Sequence, residues 1–180
     1  MPDWITSSTT YVAPRKSGDR DPWELEAEQA GHVGRHRIAL VGHRPVPEAV
    51  ALRLGIAVGA AAVLRRRIVT LDGRAVEVSD SWYPTAIADG TGLAEDKPIR
   101  GGAVRLLAEL GYTAVRHVED VAVVDPAADV AAILGPGLAI ELIRTSYAGD
   151  DRVIEVAVMA MSRELSPGVP RRLRYVLGAA

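Results

Sequence analysis

The 180-residue chain has no cysteine, which excludes disulfide bonds, thiolate metal sites and cysteine nucleophiles. It also lacks phenylalanine, so Val, Leu, Ile and Ala must fill the core. No stretch of about 18 apolar residues occurs, and we therefore expect no transmembrane helix. The first ten residues, MPDWITSSTT, lack the basic and apolar regions of a signal peptide. Together these absences favour a cytoplasmic protein without a membrane partner.

A strong imbalance of charge is missing as well. The formal net charge is −2 and the isoelectric point is about 6.1, so we expect no direct nucleic acid contact by this chain. His32 and His36 have the spacing of a helical pair of metal ligands, but Gly31 and Gly34 flank them. The glutamate of a His-Glu-x-x-His motif is also absent. We therefore expect a loop at this point, no metal and no cofactor.

Two stretches of the sequence resemble each other. Residues 63–84 read VLRRRIVTLDGRAVEVSDSWYP and residues 141–162 read ELIRTSYAGDDRVIEVAVMAMS, and they align without a gap, so that Glu77 matches Glu155. Each copy is an apolar run, an Asp/Gly turn and a second apolar run, which is typical of a β-hairpin. A short alanine-rich segment with proline near its start and glycine at its end precedes each copy, which predicts a helix. The repeat thus predicts two helix–turn–hairpin units fused in one sheet.

The same periodicities predict an α+β fold with about seven strands, mostly antiparallel, and three helices. Residues 1–34 are expected to form an arm with a short strand at Tyr11-Val12 and an anchor at Trp23, and residues 35–180 one ligand-binding domain. The apolar half of the strand at 116–124, Val121 to Val124, is expected to enter the core. The predicted strands are 35–41, 61–70, 74–83, 116–124, 139–147, 152–163 and 172–177, and the helices are 47–54, 103–110 and 127–134.

The order and spacing of these segments resemble the UTRA domain, the effector-binding half of HutC-subfamily regulators in the GntR superfamily. The resemblance runs from about Gly34 to the C-terminus. It rests on the segments LRLG, Arg65-x-Arg67, Asp72-Gly73, SDSWYP, GGAVRLL, EDV, ILG, RTSYAGDDRVIEV and LRYVL. The resemblance implies a fold like that of chorismate lyase, a mostly antiparallel sheet with helices packed on it, and a homodimer.

Regulators of this family carry a winged helix-turn-helix ahead of the UTRA domain, and this sequence does not show one. Residues 9–13, TTYVA, resemble the end of its wing. We expect the effector-binding half of a regulator without its DNA-binding half. Whether it was trimmed from a longer protein or stands alone naturally is left open, with a slight preference for the natural stand-alone protein.

Arg65 and Arg67 are two residues apart on a strand and therefore share one face of the sheet. Two guanidinium groups on one face suit a carboxylate or a phosphate, and the alternatives are salt bridges to Glu77 or a solvated face. The resemblance implies that they contact an anionic effector. The start of the following helix, at Gly102 and Ala103, is a second candidate anion site, because backbone N–H groups are free there. The alternative is that Gly101 and Gly102 only let the loop turn into the helix.

Glu155 is the single charged residue in the strand VIEVAVMAM, and a charge in such a strand must be paired or functional. Period 2 places it on one face with Ala157, Met159 and Met161. The alternative to a ligand contact is an ion pair with Arg144 or Arg67. The resemblance implies that this glutamate binds hydroxyl or amine groups of the ligand. Ser81 and Tyr83 share a face of the preceding hairpin and could reach a ligand, or could be ordinary polar edge residues.

These residues predict a domain that binds an anionic or polar small molecule between the sheet and the Gly102 helix. Two alternatives stay open: an enzyme of the same fold, a lyase, isomerase or cyclase with Glu155 as catalytic acid/base, and an interaction protein that forms mixed dimers with intact regulators. The predicted ligand-binding residues are Arg65, Arg67, Ser81, Tyr83, Gly102, Ala103, Arg144, Glu155, Met161 and Tyr175.

Overall fold

The structure is a computed structural model, and it describes residues 5–13 and 19–175. The described strands are β1 (Ile5–Ser7), β2 (Gly34–Pro45), β3 (Ala61–Leu71), β4 (Arg74–Tyr83), β5 (Ala114–Val124), β6 (Ala139–Ala148), β7 (Val153–Ser162), β8 (Glu164–Ser166), β9 (Val169–Pro170) and β10 (Arg172–Arg174). The described helices are α1 (Thr9–Val12), α2 (Pro22–Gln29), α3 (Glu48–Leu54), α4 (Thr85–Ala88), α5 (Ala103–Glu109) and α6 (Ala128–Leu134).

The two copies of the repeat lie side by side in one six-stranded sheet. Its order is β2-β3-β4-β7-β6-β5, and all neighbouring strands are antiparallel. The central pair is β4 with β7, in which Asp80 faces Val158, Ser79 faces Met159 and Ser81 faces Ala157. When each residue is replaced by its counterpart in the other copy, the same pairs of facing residues result, so the pairing of β4 with β7 is symmetric. The repeat unit is therefore strand–helix–hairpin, one strand longer than the sequence predicts, and the fused pair in one sheet is confirmed.

The Asp-Gly turn of the first hairpin closes as predicted. Asp72 and Gly73 both have positive φ, 49° and 81°, which is the geometry of a type I′ turn. This turn matches the right-handed twist of the strands and pairs Leu71 with Arg74. A β-bulge between Val69 and Thr70 then shifts the register by one residue, so that Arg65 lies opposite Ser81 and Arg67 opposite Ser79. The turn and the bulge together fix which side chains share a face with the two arginines.

The helices of the two repeat units cover the same face of the sheet. α3 buries Val50 and Ala51 in one apolar cluster, and α6 buries Val130 in another. The strand residues of these two clusters are Ala62, Leu64, Val78, Trp82, Ile143, Val156 and Ala160. This face is the main core of the domain.

The opposite face of the sheet is filled only at its two ends. A cluster around α5 contains Tyr83, Leu93, Leu107 and Ile154, and a cluster around α2 contains Trp23, Val69, Val76 and Leu165. Between them the strands present polar, charged and small side chains. Apolar packing at both ends therefore frames a polar centre.

α2 belongs to this packing, although it falls in the predicted arm. The indole N–H of Trp23 donates to the Thr70 carbonyl oxygen at 2.9 Å, and Trp23 is buried as expected of an anchor. A Cβ at Gly34 would lie 2.7 Å from the Ala27 Cβ, so glycine is required where α2 meets β2. The boundary between an arm and a domain at residue 34 stays a prediction.

Three expectations for strands need correction. Tyr11 and Val12 lie in helix α1, and the strand of this region is β1, which pairs in parallel with β10. The closing strand ends at Arg174, and residues 176 and 177 of the prediction lie outside the described residues. The stretch Val121–Val124 does not enter the core. Among the described strands β5 pairs only with β6 and is an edge strand, and Val123 is 63% exposed.

Candidate functional site

A cavity of about 410 Å³ lies on the polar face of the sheet, opposite α3 and α6. Its floor is formed by β3, β4, β6 and β7. One wall is the segment from Pro98 to Val104, and the N-terminal segment and β10 contribute Thr6, Ser8, Tyr11 and Leu173 across from the floor. All the residues predicted to bind a ligand line this cavity except Tyr175: Arg65, Arg67, Ser81, Tyr83, Gly102, Ala103, Arg144, Glu155 and Met161. Their roles in binding stay predictions.

The floor is a grid of cross-strand neighbours. One row runs Arg65, Ser81, Ala157, Arg144 across β3, β4, β7 and β6. The next row runs Arg67, Ser79, Met159, Leu142 in the same strands. Small side chains therefore occupy much of the centre of the floor, with arginines at its sides. Directly opposed residues lie about 5 Å apart, so the small centre leaves room for a ligand.

Arg67 is a cation of the cavity floor. Within the described ranges, 5–13 and 19–175, its guanidinium makes no hydrogen bond and no ion pair, and the side chain is half-buried. The predicted alternative, a salt bridge to Glu77, does not form, because Glu77 pairs with Arg171 at 3.5 Å. A half-buried cation without a partner attracts an anionic group.

Arg65, in the same strand as Arg67, has different surroundings. Its Nη1 donates to the carbonyl oxygens of Leu93 at 2.9 Å and Glu95 at 2.7 Å, and its Nη2 donates to the Lys97 carbonyl oxygen at 2.8 Å. A further bond reaches the Gly92 carbonyl oxygen at 3.2 Å. Burial lowers the pKa of this guanidinium from its ordinary value. Arg65 therefore lines the cavity while its Nη1 and Nη2 hold the loop that leads into the cavity wall, and its predicted contact to an anion stays a prediction.

Glu155 is held by a buried tyrosine and not by an arginine. The Tyr83 hydroxyl donates to Glu155 Oε1 at 2.7 Å, and Arg144, one of its two predicted ion-pair partners, is bonded to Glu119. Burial, followed by the charge of Glu155, raises the pKa of Tyr83 well above its ordinary value, so Tyr83 remains a donor. Glu155 shares its face with Ala157, Met159 and Met161 as predicted. Its catalytic role in the enzyme alternative stays a prediction.

Arg144 reaches the cavity through an ion pair with the edge strand. Its Nε donates to Glu119 Oε1 at 2.6 Å, and the Ser8 hydroxyl donates to Glu119 Oε2 at 3.0 Å. Burial opposes ionisation of Glu119, but the charge and hydrogen bond of Arg144 outweigh it and hold the pKa of the carboxyl below its ordinary value. Tyr175 does not line the cavity, but its side chain lies near the same carboxylate. Glu119 thus joins Arg144 of the cavity floor to Ser8 of the N-terminal segment.

Two polar atoms of the lining have no partner. Ser79 Oγ and Arg171 Nε are buried and make no hydrogen bond to the part of the chain that the structure describes. A buried polar group without a partner costs about 1–3 kcal/mol, and such groups in a lining indicate a missing partner. The orphaned atoms lie on the side of the floor that carries Arg67, since Ser79 faces Arg67 across β3 and β4.

The predicted anion site at the start of α5 is only partly present. The Gly102 N–H, predicted to be free, donates to the Ile99 carbonyl oxygen at 2.9 Å. Gly102 has φ 85° and ψ 168°, so it does serve the turn into the helix. Gly102 and Ala103 form part of the cavity wall, and α5 contributes shape to the site.

Two residues near the site were not predicted by the sequence analysis. His117 Nδ1 and Ser146 Oγ are 3.0 Å apart, and both residues border a small side pocket that also contains Glu155 and Arg144. Their signal was weak, because His117 opens a polar strand beside Glu119 and Asp120 and Ser146 is an ordinary strand residue. Only the register of β5 on β6 brings His117 opposite Ser146.

No cluster of three metal-ligating side chains occurs among residues 5–13 and 19–175. His32 lies in a turn beside Asp72, at 2.7 Å, and not on a helix. Within the same ranges no helix has the length and apolarity needed to cross a membrane.

Comparisons with known proteins agree with this architecture. Residues 29–164 match the family model of the UTRA domain. The chain belongs to the UTRA domain family. The fold expected from the sequence, a mostly antiparallel sheet with helices packed on it, is thereby confirmed.

Several relatives of this UTRA domain are transcriptional regulators. An uncharacterized HTH-type transcriptional regulator of Streptomyces coelicolor, SCO4628, is 32% identical over 116 residues, which is 61% of this chain and 43% of that protein. The chain thus spans less than half of that relative. The effector domain of PhnF from Mycobacterium smegmatis superimposes with a TM-score of 0.67 at 24% identity, covering 92% of this chain and 98% of that one. A GntR-family regulator from Bacillus cereus gives a TM-score of 0.64 at 17% identity, with 81% and 99% covered.

Proposed function

We propose that this UTRA domain is the effector-binding half of a HutC-type regulator of the GntR family, and that its cavity binds a small organic anion. The observation that carries the proposal is Arg67, a half-buried cation in the cavity floor with no partner among the described residues. An anionic group at Arg67 would form paired, charge-assisted hydrogen bonds. In a full-length regulator, ligand binding would shift the arrangement of the domains and release DNA.

The surroundings of Arg67 support the proposal. The orphaned Ser79 Oγ and Arg171 Nε lie in the same lining and lack the partner that a polar ligand could supply. A volume of about 410 Å³ falls within the size range of small-molecule sites. Met159 and Met161 offer an adaptable apolar wall for the carbon skeleton of the ligand. The site thus combines an unpaired cation with an apolar wall that can adapt to ligands of different shape.

The test is thermal unfolding in the presence of a panel of short carboxylates and phosphomonoesters. We expect at least one of these anions to raise the Tm of the wild-type chain, because a ligand that binds only the folded state stabilises it. Arg67→Ala should remove that rise. The matched control is Arg35→Ala, which deletes an arginine with a 65% exposed side chain on β2 and should keep it. A rise that survives Arg67→Ala would place the anion elsewhere and contradict the proposal.

We further propose that two copies of the chain associate through β5. The two edges of the sheet differ in part of their length: β2 carries Arg35, His36 and Arg37 near its start, whereas β5, after its charged first half, exposes Val121 at 49% and Val123 at 63%. Charged residues protect an edge strand from pairing, and an apolar edge favours it. A second β5, antiparallel to the first, would satisfy the open backbone groups and cover the valines.

A further inference from the structure

A row of polar residues crosses the sheet beneath α5. Tyr83, Glu155, Ser146 and His117 occupy neighbouring positions on β4, β7, β6 and β5. Tyr83 donates to Glu155 at 2.7 Å, and Ser146 Oγ lies 3.0 Å from His117 Nδ1. The two inner members, Glu155 and Ser146, are direct cross-strand partners. This row is one end of the ligand cavity together with its side pocket.

This end of the cavity is rich in hydrogen-bond acceptors. Burial and then the neighbouring charge of Arg144 lower the pKa of His117, so its imidazole is neutral at neutral pH. In either tautomer the hydrogen-bonded pair of Ser146 and His117 keeps an acceptor, on the hydroxyl oxygen or on Nε2. Glu155 is bonded only to a neutral hydroxyl, so its negative charge is not compensated by a cation among the described residues. The positive charge of Arg144 is already matched by Glu119 at 2.6 Å. The row therefore carries one unbalanced negative charge.

The unbalanced positive charge of Arg67 lies at a distance from this row. Arg67 is two strands away from Glu155 and four residues along the strand direction, because Arg67 faces Ser79 and Ser79 faces Met159. With strands about 4.8 Å apart and a rise of about 3.4 Å per residue, the two Cα atoms are about 17 Å apart. No ion pair within 4.0 Å joins Arg67 to Glu155 in the described structure. Direct neutralisation is absent, so a molecule between them can neutralise both.

We infer that the ligand is a zwitterion, with its anionic group at Arg67 and Ser79 and a protonated amine at Glu155, Ser146 and His117. This inference rests on the proposed function and adds the chemical class of the ligand. A ligand with an anion alone would displace water from the Glu155 carboxylate without supplying a counter-charge, which is costly. A hydroxyl at Glu155 would supply hydrogen bonds but no charge. The amine supplies both, and Ala157 and Met159 line the path between the two ends.

The experiment compares probes that differ at one end only. Calorimetric titrations use δ-aminovalerate and ε-aminocaproate, which carry both charges, and valerate and pentylamine, which carry one each. We expect at least one of the two amino acids to bind about tenfold or more tightly than valerate, which corresponds to about 1.4 kcal/mol. Glu155→Gln should remove that advantage without weakening the binding of valerate, whereas Arg67→Ala should weaken the amino acids and valerate alike. Glu141→Gln, on the opposite face of β6, is the matched control and should behave as the wild type.

Equal affinity for valerate and both amino acids, or an advantage that persists in Glu155→Gln, overturns the zwitterion inference. Absence of binding by both amino acids overturns it as well. The proposed function is judged separately, since it survives if any anion of the wider panel still raises the Tm in a way that depends on Arg67. Ser146→Ala gives a second readout that leaves the charges in place: it should reduce the amino acid advantage without abolishing it.

Discussion

Two arginines on one strand face have opposite surroundings, although they are only two residues apart. Arg65 is 4% exposed and donates to the carbonyl oxygens of Gly92, Leu93, Glu95 and Lys97. Arg67 makes no such bond to any described residue. Carbonyl oxygens of an irregular loop need donors, because no strand or helix satisfies them. Arg65 therefore stabilises the loop before the cavity wall, and Arg67 is available to a ligand.

This contrast predicts different effects on stability. Arg65→Met leaves several enclosed carbonyl oxygens without donors and should lower the free energy of unfolding by about 3 kcal/mol, which is about 10 °C in Tm. Arg67→Met removes a cation that has no protein partner, and we expect its Tm to stay within about 2 °C of the wild type, or to rise. Both variants are measured by thermal and urea unfolding without ligand. Equal losses of stability in the two variants would contradict this contrast. They would show that Arg67 also has a partner within the protein, or that the bonds of Arg65 add no particular stability.

At the residue scale, the sequence predicted positions better than partners. The spacing of two residues correctly placed Arg65 and Arg67 on one face, and it placed Glu155 with Met159 and Met161. The partners depend on loops and on strand register, which local spacing does not determine. The predicted pairs of Glu155 with Arg144 and of the strand arginines with Glu77 were wrong for this reason.

At the scale of elements, the N-terminal strap, residues 5–12 with β1 and α1, is fastened on both sides of the cavity. On one side Thr6 and Tyr11 donate to Glu26 of α2, at 2.6 and 2.7 Å. On the other side Ser8 donates to Glu119 of β5 at 3.0 Å. Short segments such as β1 and α1 have little stability of their own. The strap is therefore held in place by carboxylates of the elements on either side.

The contribution of Glu119 to holding the strap depends on pH, because its carboxylate must be ionised. Since the folded state lowers the pKa of Glu119, its carboxylate stabilises the fold at pH values above the ordinary pKa of a glutamate. The stabilisation is lost as the pH falls through the lowered value. Glu119→Gln should thus be less stable than the wild type at neutral pH, and the difference should shrink in acid. Urea unfolding at a series of pH values measures it.

The control for this experiment is Glu109→Gln, which changes an exposed carboxylate that pairs with Arg105 on the surface of α5. We expect little change in stability for it at any pH, because exposed pairs of this kind contribute little. Hydrogen exchange adds a local readout: amides of residues 5–12 should exchange faster in Glu119→Gln. A stability difference that is constant from acid to neutral pH would mean that the ionised carboxylate is not what holds the strap.

At the scale of the whole molecule, the repeat built the sheet and its divergence formed the cavity. On the helix face both copies present apolar residues to α3 and α6. On the other face Ser79 corresponds to Ala157, Ser81 to Met159 and Tyr83 to Met161, so matching positions carry different chemistry. Periodicity and the repeat were sufficient to predict the α+β sheet. The position of β5 at the edge was not predictable from its apolar composition, because a strand covered by a partner molecule and a core strand have the same pattern.

The exposed β5 edge leads to a prediction about assembly. A double variant, Val121→Asp with Val123→Asp, places charges on the proposed interface, and like charges facing each other across paired strands oppose association. We expect the wild-type chain to have the mass of a dimer by sedimentation and light scattering, and the double variant to have the mass of a monomer with an unchanged circular dichroism spectrum. The matched control is Leu52→Asp on α3, which alters another exposed apolar side chain, 80% accessible, away from β5.

A wild-type chain that is monomeric at high concentration, or a double variant that stays dimeric, would contradict association through β5. In the second case the dimer would have to use another surface, and Leu52→Asp tests the α3 side of the molecule directly.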